Sequence, residues 1–516
     1  MTTAQQSAWD QLNAHLQSAT LIASIDALVS YDEQTIMPPA AAEYRGEQLA
    51  YLSGSAHEKL TDPRIAEWLA TLADYEQALA PESDEATVLR EARRDFLQRT
   101  QLPQRLVEEL ARTKVRAQQA WVAARKAADF AAFAPHLTAM LALKREEADA
   151  LLPTLDPVNG HAATRYDALL DQYEPGARVR EIAVVLTDLR AELVPLVKEL
   201  LERGTAPSDE LLQREYPRAA QEAFGKRIAA QFGFDFERGR LDVTAHPFCS
   251  EMGPHDKRMT TRYNEHALNE AFFGILHETG HALYEQGLRP EWYGRGPGQY
   301  LSLGVHESQS RLWENLVGRS RAFWEYALPL AQEAFPAALQ GVKVNEFYRA
   351  VNRVAPSFIR VEADEATYNL HILIRFELEL ALLNGELSVA DLPAAWNERY
   401  QRDLGLTPPN AALGVLQDVH WSSGLLGYFP TYTLGNLLAS QLLNAASAQL
   451  GDLAEQFRRG DFAPLLGWLR ENLHRHGRNY SATELIKKVT GQPLSSAALL
   501  QHLRGKFGEV YGLSGN

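Results

Sequence analysis

Helical periodicity runs through most of this chain of 516 residues. Apolar residues recur at steps of three and four between polar ones, which is the pattern of a helix with one buried face. Proline and glycine interrupt this pattern at intervals. The clearest periodic segments are 12–28, 86–97, 106–127, 180–201, 370–383 and 434–450. The chain is therefore predicted to be mostly α-helical.

The composition argues against several classes of function. The formal net charge is −15, so we expect neither nucleic acid nor an anionic membrane as the main partner. The one cysteine, Cys249, rules out an intrachain disulfide and fits a reducing compartment. We see no signal peptide and no apolar run of about 18 residues that could span a bilayer. These features predict a cytoplasmic protein.

Residues 277–281 read His-Glu-Thr-Gly-His. Positions i and i+4 of an α-helix share one face, so the imidazoles of His277 and His281 can converge on one zinc ion. Glu278 lies about 100° round the helix from His277, off the metal but near the water that the metal activates. It is the predicted general base. The alternative is two ordinary histidines on a helix, because this short pattern also arises by chance.

The residues around this motif predict the helix that carries it. An apolar run over 271–276 continues through Tyr284, and Gly287 then offers a C-terminal cap. Gly274 and Gly280 lie inside the helix, where each glycine costs about 1 kcal/mol relative to alanine. Their presence predicts the close approach of another element.

The third metal ligand is predicted to be a carboxylate. A structural zinc site rich in cysteine is impossible with one cysteine, whereas a catalytic site needs three protein ligands and an open position. The pattern with a third histidine requires Gly at position 284 and His at position 287, where this sequence has Tyr284 and Gly287.

Glu307 is the favoured carboxylate. The chain after His281 is long enough for a loop and a return helix that begins near Leu303 and carries Glu307. Glu285 competes, although its helix already supplies two ligands. Glu314 is either an alternative ligand or a residue that holds a ligand in place.

Strand patterns are scarce. The best candidate is 239–248, and 258–263 is a second one, so we expect a small sheet near the metal motif. Residues 1–205 carry no obvious chemistry. We interpret them as a helical wall or lid over a cleft, with plain helical packing as the alternative. Residues 206–516 are the expected metal- and substrate-binding region.

Five short motifs, taken in order, resemble those of the M32 metallocarboxypeptidases of the thermostable carboxypeptidase Taq type. They span about a third of the chain and are far more specific together than the histidine motif alone. They are Asp256-Lys257-Arg258-Met259-Thr260, His277-Glu278-Thr279-Gly280-His281, His306-Glu307-Ser308-Gln309, Ile359-Arg360-Val361-Glu362-Ala363-Asp364 and Gly414-Val415-Leu416-Gln417-Asp418-Val419-His420-Trp421.

The resemblance implies a carboxypeptidase that removes single C-terminal residues from peptides with broad specificity. It implies one peptidase unit over 1–516, with long helices around a deep substrate groove, related to the architecture of angiotensin-converting enzyme and neurolysin. It also implies a homodimer, zinc as the metal with cobalt able to replace it, and Glu307 as the third ligand.

A carboxypeptidase has to bind a terminal carboxylate, and a guanidinium does this with two parallel hydrogen bonds. Arg360 and Arg258 are the candidates, and Asp256 belongs to the same motif as Arg258. Arg360 could instead form a structural ion pair with Glu362 or Asp364. Its position in a family motif favours the substrate-binding role.

The developing oxyanion needs a hydrogen-bond donor besides the metal. His420 is our choice, and Asp418 could orient it. Tyr428 and Tyr432 follow closely and could share the oxyanion or hold the scissile carbonyl, although either could be an ordinary core aromatic. Trp421 is assigned to packing.

The predicted mechanism is metal-assisted hydrolysis, in which Glu278 takes a proton from water and later passes it to the leaving amine. Arg360 would fix the chain end so that only the last peptide bond reaches the metal. Two alternatives stay open from sequence. One is an endo- or dipeptidyl oligopeptidase on the same scaffold, and the other is a non-catalytic helical peptide-binding protein stabilised by a metal.

Overall fold

The computed structural model describes residues 1–158 and 160–513. The described chain is mostly helical, as predicted, and each of the six periodic segments lies within one helix. The α-helices in chain order are α1 Thr3–Thr35, α2 Ala42–Leu60, α3 Arg64–Thr71, α4 Ala73–Gln77, α5 Asp84–Gln101, α6 Gln104–Ala127, α7 Phe130–Leu151, α8 Arg165–Leu170, α9 Val179–Arg203, α10 Arg218–Phe232, α11 Leu268–Gly287, α12 Leu303–Arg311, α13 Arg321–Ala334, α14 Pro336–Leu339, α15 Val344–Val351, α16 Tyr368–Asn384, α17 Leu392–Leu404, α18 Pro430–Leu450, α19 Leu453–Arg458, α20 Ala463–Asn472, α21 Ala482–Thr490 and α22 Ala497–Tyr511. Across the two described stretches, none of the helices combines the length and the apolar character that a membrane crossing requires.

A three-stranded sheet lies next to the helix of the histidine motif. Its strands are β1 Gly239–Val243, β2 Cys249–Gly253 and β3 Asp256–Thr261. Strand β3 is central, with β1 parallel to it on one side and β2 antiparallel on the other. The prediction of one strand over 239–248 was wrong in its second half, which contains Pro247 and is not a strand. Strand β2 was not predicted, because its sequence Cys-Ser-Glu-Met-Gly shows no alternation of apolar and polar residues.

Strand β3 separates two environments because successive side chains of a strand point to opposite faces. On one face, Lys257 reaches Glu285 of α11, and the hydroxyl of Thr279 contacts the sulfur of Met259. On the other face, the guanidinium of Arg258 lies 5.2 Å from the ring centre of Tyr31 in α1. The sheet therefore lies between α11 and α1.

Helix α18 joins the two large hydrophobic cores of the molecule. Leu438 and Leu442 belong to the core that contains α10, α11 and α13, whereas Leu434 and Leu437 belong to the core built by α7, α9, α16 and α22. Helix α18 also packs closely on α12. A Cβ atom on Gly435 would lie 2.6 Å from Cγ of Glu307, so glycine is required for this approach.

Helices α11 and α12 touch through their backbones at Gly280. A Cβ atom there would lie 2.4 Å from the carbonyl oxygen of Gln309, which confirms the predicted close approach. The same prediction was wrong for Gly274, whose Cβ would meet only the Thr261 hydroxyl at 3.9 Å. The predicted cap at Gly287 was also wrong. Gly287 is the last residue of α11, and it is small because the ring of His474 packs against it.

Candidate metal centre

The side chains of His277, His281 and Glu307 meet at one point. Their possible ligand atoms all lie within 4.8 Å of one another. The Nε2 atoms of His277 and His281 are 3.6 Å and 3.5 Å from Oε2 of Glu307. The two histidines come from one face of α11, and the carboxylate comes from the second turn of α12, the return helix predicted to begin near Leu303. Two imidazole nitrogens and one carboxylate oxygen are one of the donor sets found in catalytic zinc sites.

The charges of the three groups suit a divalent cation. Burial, together with the nearby His306, lowers the pKa of His281 to about 3, so its imidazole is neutral, as a metal ligand must be. Burial opposes ionisation of Glu307, yet Arg311 and the two imidazoles hold its pKa well below the usual range. Burial lowers the pKa of His277, but the carboxylates of Glu307 and Glu314 have the larger effect and raise it overall. The two carboxylates therefore favour a positive charge between the three side chains.

Each of the two imidazoles has a partner on its second nitrogen. Nδ1 of His277 is 2.9 Å from Oε2 of Glu314, so the structure places Glu314 behind a proposed ligand. Glu314 lies in the π-helical turn Leu312–Val317, which directly continues α12. Nδ1 of His281 is 2.5 Å from Nδ1 of His306.

Glu285, the competing carboxylate, is engaged elsewhere. Its Oε1 atom is 2.9 Å from Nε2 of His306, and its Oε2 atom is 3.4 Å from Nζ of Lys257. Among the described residues, the cluster with metal-binding geometry consists of His277, His281 and Glu307 alone.

A cavity of about 480 Å³ opens on these ligands. Besides the three ligands, Glu278, Cys249 and Glu251 line it, together with Tyr300, Tyr428 and Tyr432. Burial raises the pKa of Glu278 to about 7, although the charge of His277 acts in the opposite direction. A carboxyl group with this pKa can take up and release a proton near neutral pH. The described residues that line the cavity include several carboxylates but neither lysine nor arginine.

The two predicted tyrosines are on the wall of this cavity, and His420 lies behind them. The Tyr432 hydroxyl is 3.3 Å from Nε2 of His420. The rings of Tyr428 and His420 are 5.5 Å apart between centres. Burial lowers the pKa of His420 to about 4, so this imidazole is neutral near pH 7. His420 itself is absent from the described residues that line the cavity.

Arg360 is buried behind Tyr432. Its guanidinium carbon lies 5.1 Å from the ring centre of Tyr432, and its Nε atom donates to Asp418 at 2.9 Å. Arg375 donates to the other oxygen of Asp418 at 2.7 Å. The ion-pair partner of Arg360 is thus Asp418, and not Glu362 or Asp364, the two candidates from the sequence.

The structure does not bring Arg258 and Asp256 to the metal cavity. Arg258 donates two hydrogen bonds to Asp256, at 2.8 Å and 2.6 Å, on the face of the sheet turned toward α1. There it lines a separate cavity of about 440 Å³, together with Tyr31, Arg240 and Asp242.

Comparison with known proteins agrees with this geometry. The family model described as carboxypeptidase Taq (M32) metallopeptidase matches residues 11–507. The chain belongs to this family. Thermostable carboxypeptidase 1 of Thermus thermophilus is 46% identical over 509 residues, which are 98% of this chain and 99% of that protein. Carboxypeptidase 1 of Bacillus subtilis is 36% identical and covers 94% of this chain and 95% of its own length.

Solved structures of M32 carboxypeptidases share the fold. The M32 carboxypeptidase from Deinococcus radiodurans R1 superposes with a TM-score of 0.92 at 42% identity, covering 98% of this chain and all of that one. Metallocarboxypeptidase 1 of Trypanosoma cruzi gives a TM-score of 0.91 at 33% identity, over 97% of this chain and 99% of that one. The chain is therefore a metallocarboxypeptidase, and the family implies a metal cofactor.

Three residues around the candidate metal site were not recognised from the sequence. Arg311 follows Glu307 by four residues, and this helical spacing was a usable signal. His306 lies inside a family motif, but no role was assigned to it. Lys257 in β3 contacts Glu285 in α11, and no spacing in the sequence predicts that contact.

Proposed function

We propose that this chain is a zinc-dependent carboxypeptidase that removes single C-terminal residues from peptides with broad specificity. The observation that carries the proposal is the convergence of His277, His281 and Glu307 on one point at the wall of a cavity. The two nitrogens and one oxygen suit zinc, and cobalt accepts the same donors. When bound, zinc would polarise the scissile carbonyl and make a water molecule more acidic.

Glu278 would act as the general base and then as the general acid. It follows His277 directly and lines the same cavity. Its raised pKa, about 7, lets it take a proton from the attacking water and return that proton to the leaving amine.

The hydroxyls of Tyr428 and Tyr432 would donate hydrogen bonds to the oxyanion or to the scissile carbonyl, because both tyrosines line the cavity. His420 would act from behind Tyr432, whose hydroxyl it contacts. Burial raises the pKa of Tyr432 well above its usual value, so the hydroxyl keeps its proton and stays a donor.

Arg360 would bind the terminal carboxylate of the substrate. Asp418 holds the guanidinium through Nε, and the Tyr368 hydroxyl lies 3.1 Å from one terminal nitrogen. Since Tyr432 lies between Arg360 and the cavity, its side chain has to move before the carboxylate can reach the guanidinium. Arg258 is the second candidate for this role, with Asp256 as its partner, and it needs a larger rearrangement.

The roles of the two parts of the chain follow from the same proposal. Residues 206–516 contain every proposed metal-binding and catalytic side chain. Residues 1–205 would form a wall of the groove, since α1 packs against the sheet beside the cavity. We also infer a homodimer from the family resemblance, and sedimentation equilibrium would measure its mass. The single cysteine supports a cytoplasmic location.

A pair of peptides with free and amidated C-termini tests the proposed reaction. We expect release of the last residue from the free peptide and no cleavage of the amidated one. The Glu278→Gln variant should fold and bind zinc, but should lose activity by several orders of magnitude. Glu471→Gln, an exposed change in α20, is the matched control and should keep full activity. Cleavage of the amidated peptide, or an active Glu278→Gln enzyme, would overturn the proposal.

A further inference from the structure

His306 bridges a proposed metal ligand and a buried carboxylate. Its Nδ1 atom is 2.5 Å from Nδ1 of His281, and its Nε2 atom is 2.9 Å from Oε1 of Glu285. His281 and Glu285 lie on α11, whereas His306 comes from α12. The chemistry proposed above gives His306 no task, although it directly precedes Glu307.

One arrangement of protons satisfies both contacts of His306 and also leaves His281 a nitrogen that can bind a metal. An ionised carboxylate only accepts, so the hydrogen of His306 is on Nε2 and points to Glu285. With its hydrogen on Nε2 alone, His306 has a lone pair on Nδ1, which accepts the Nδ1 hydrogen of His281. His281 is left with its lone pair on Nε2, the atom that faces Glu307 at 3.5 Å.

Lys257 keeps Glu285 in the accepting state that this arrangement needs. Its ammonium group lies 3.4 Å from Glu285 and is itself almost fully buried. Burial raises the pKa of Glu285, but the hydrogen bond from His306 and the charge of Lys257 outweigh burial and hold the pKa below its usual value.

We propose that His306 is a positioning residue of the metal centre, which fixes the tautomer and ring orientation of His281 through its hydrogen bonds to His281 and Glu285. This inference rests on the proposed metal site. Ligating histidines usually donate their second N–H to a carboxylate, a carbonyl or water. His277 follows that rule directly through Glu314, whereas His281 reaches Glu285 through the inserted imidazole of His306.

A purely structural role for His306 is the competing explanation. Its ring lies 5.3 Å from the ring of Tyr284 and 5.1 Å from that of Tyr300, so it also contributes to aromatic packing. The experiment therefore has to include a measurement that packing alone does not change.

Two variants separate the explanations. His306→Leu removes both hydrogen bonds, whereas the amide of His306→Gln can still accept from His281 and donate to Glu285. The measurements are the zinc dissociation constant, by competition with a chelator, and the visible absorption of the cobalt-loaded protein, which reports the ligand geometry. Thermal unfolding of the metal-free proteins monitors the fold. His15→Leu is the control, since it removes a buried histidine and its hydrogen bond to Lys59 from α1.

We expect His306→Leu to bind zinc about 10- to 100-fold more weakly and to change the cobalt spectrum. His306→Gln should lie close to the wild type, and His15→Leu should match it in both measurements. Wild-type affinity and spectrum in His306→Leu would overturn the inference, whatever happens to stability. Equal losses of zinc affinity in His306→Leu and His306→Gln would overturn it as well. If His306→Leu fails to fold, the zinc affinity of His306→Gln decides: a value close to the wild type supports the inference, and a clearly weaker one overturns it. A wild-type protein that binds no zinc would instead refute the proposed metal site.

Discussion

The Nε atom of Arg311 lies 2.6 Å from Oε1 of Glu307, while Oε2 of the same carboxylate faces the two imidazoles. One oxygen is thus held by a guanidinium, whereas the other faces the proposed metal position and also accepts a hydrogen bond from the Ser310 hydroxyl at 2.9 Å. Arg311 also reaches Oε2 of Glu314 at 3.4 Å, and Glu314 holds His277. The Arg311 guanidinium therefore connects the proposed ligand Glu307 with Glu314, the residue that orients the proposed ligand His277.

Replacing Arg311 should weaken metal binding. Arg311→Lys keeps the charge but cannot reproduce the planar fork, so we expect an affinity loss of about 10- to 100-fold. Arg311→Met leaves the buried carboxylate of Glu307 without its guanidinium partner and should destabilise the metal-free protein by about 3–5 kcal/mol. Isothermal titration with zinc and urea unfolding would measure the two effects. Added zinc should restore part of the stability of Arg311→Met, and its failure to do so would contradict this account.

Two glycines of α11 provide a matched pair of substitutions. Gly280→Ala places a methyl group against the backbone of α12, 2.4 Å from the Gln309 carbonyl, so the two ligand-bearing helices have to separate. We expect a stability loss of about 1–3 kcal/mol and weaker zinc binding. Gly274→Ala meets only ordinary contact distances and should stabilise the helix by up to about 1 kcal/mol. Chemical unfolding of both variants tests this contrast, and equal effects would contradict it.

Much of the fold was predictable because its pattern is local. Apolar residues three and four positions apart predict long amphipathic helices such as α6 and α9. Strand β2 was not predictable, because all its residues except Met252 are only partly buried and the strand is held by pairing with β3. Gly274 and Gly280 show the same limit. Both are glycines inside one helix, and only the position of α12 distinguishes them.

The candidate site likewise contains residues that local spacing predicts and contacts that it does not. His277, His281 and Glu278 follow from spacing on one helix, and Glu307 follows from the need for a third ligand on a return helix. The contact between Arg360 and Asp418 joins distant parts of the chain, so nothing in the local sequence specifies it.

Removal of the metal should lower the stability of the folded protein. A metal that binds only the folded state stabilises it by about 2.7 kcal/mol at a free concentration 100 times its dissociation constant. Chelation should therefore lower the melting temperature, and added zinc should restore it. His281→Gln, which lacks one proposed ligand, should show a much smaller zinc-dependent shift. An equal shift in His281→Gln would place the metal at another site.

Glu174 should make stability depend on pH. Its carboxylate accepts hydrogen bonds from the Ser302 hydroxyl at 2.6 Å and from the backbone N–H of Gly304 at 2.9 Å, at the start of α12. Burial raises its pKa to about 7, and these hydrogen bonds only partly oppose that effect. The folded protein therefore binds a proton here more tightly than the unfolded chain does. The resulting stability is complete below about pH 4.5 and is lost as the pH rises through 7, by about 3 kcal/mol in all.

Glu174→Gln isolates this contribution because its amide imitates the protonated carboxyl at every pH. It can accept from the Gly304 N–H and donate to the Ser302 hydroxyl. Urea unfolding between pH 5 and 8 should show a smaller decline for Glu174→Gln than for the wild type. Glu455→Gln, an exposed change in α19, should follow the wild-type curve. Other titrating groups act equally in all three proteins, so only the difference between curves reports Glu174. Parallel curves for Glu174→Gln and the wild type would mean that water reaches this carboxylate and that α12 begins in a more open environment than its buried contacts indicate.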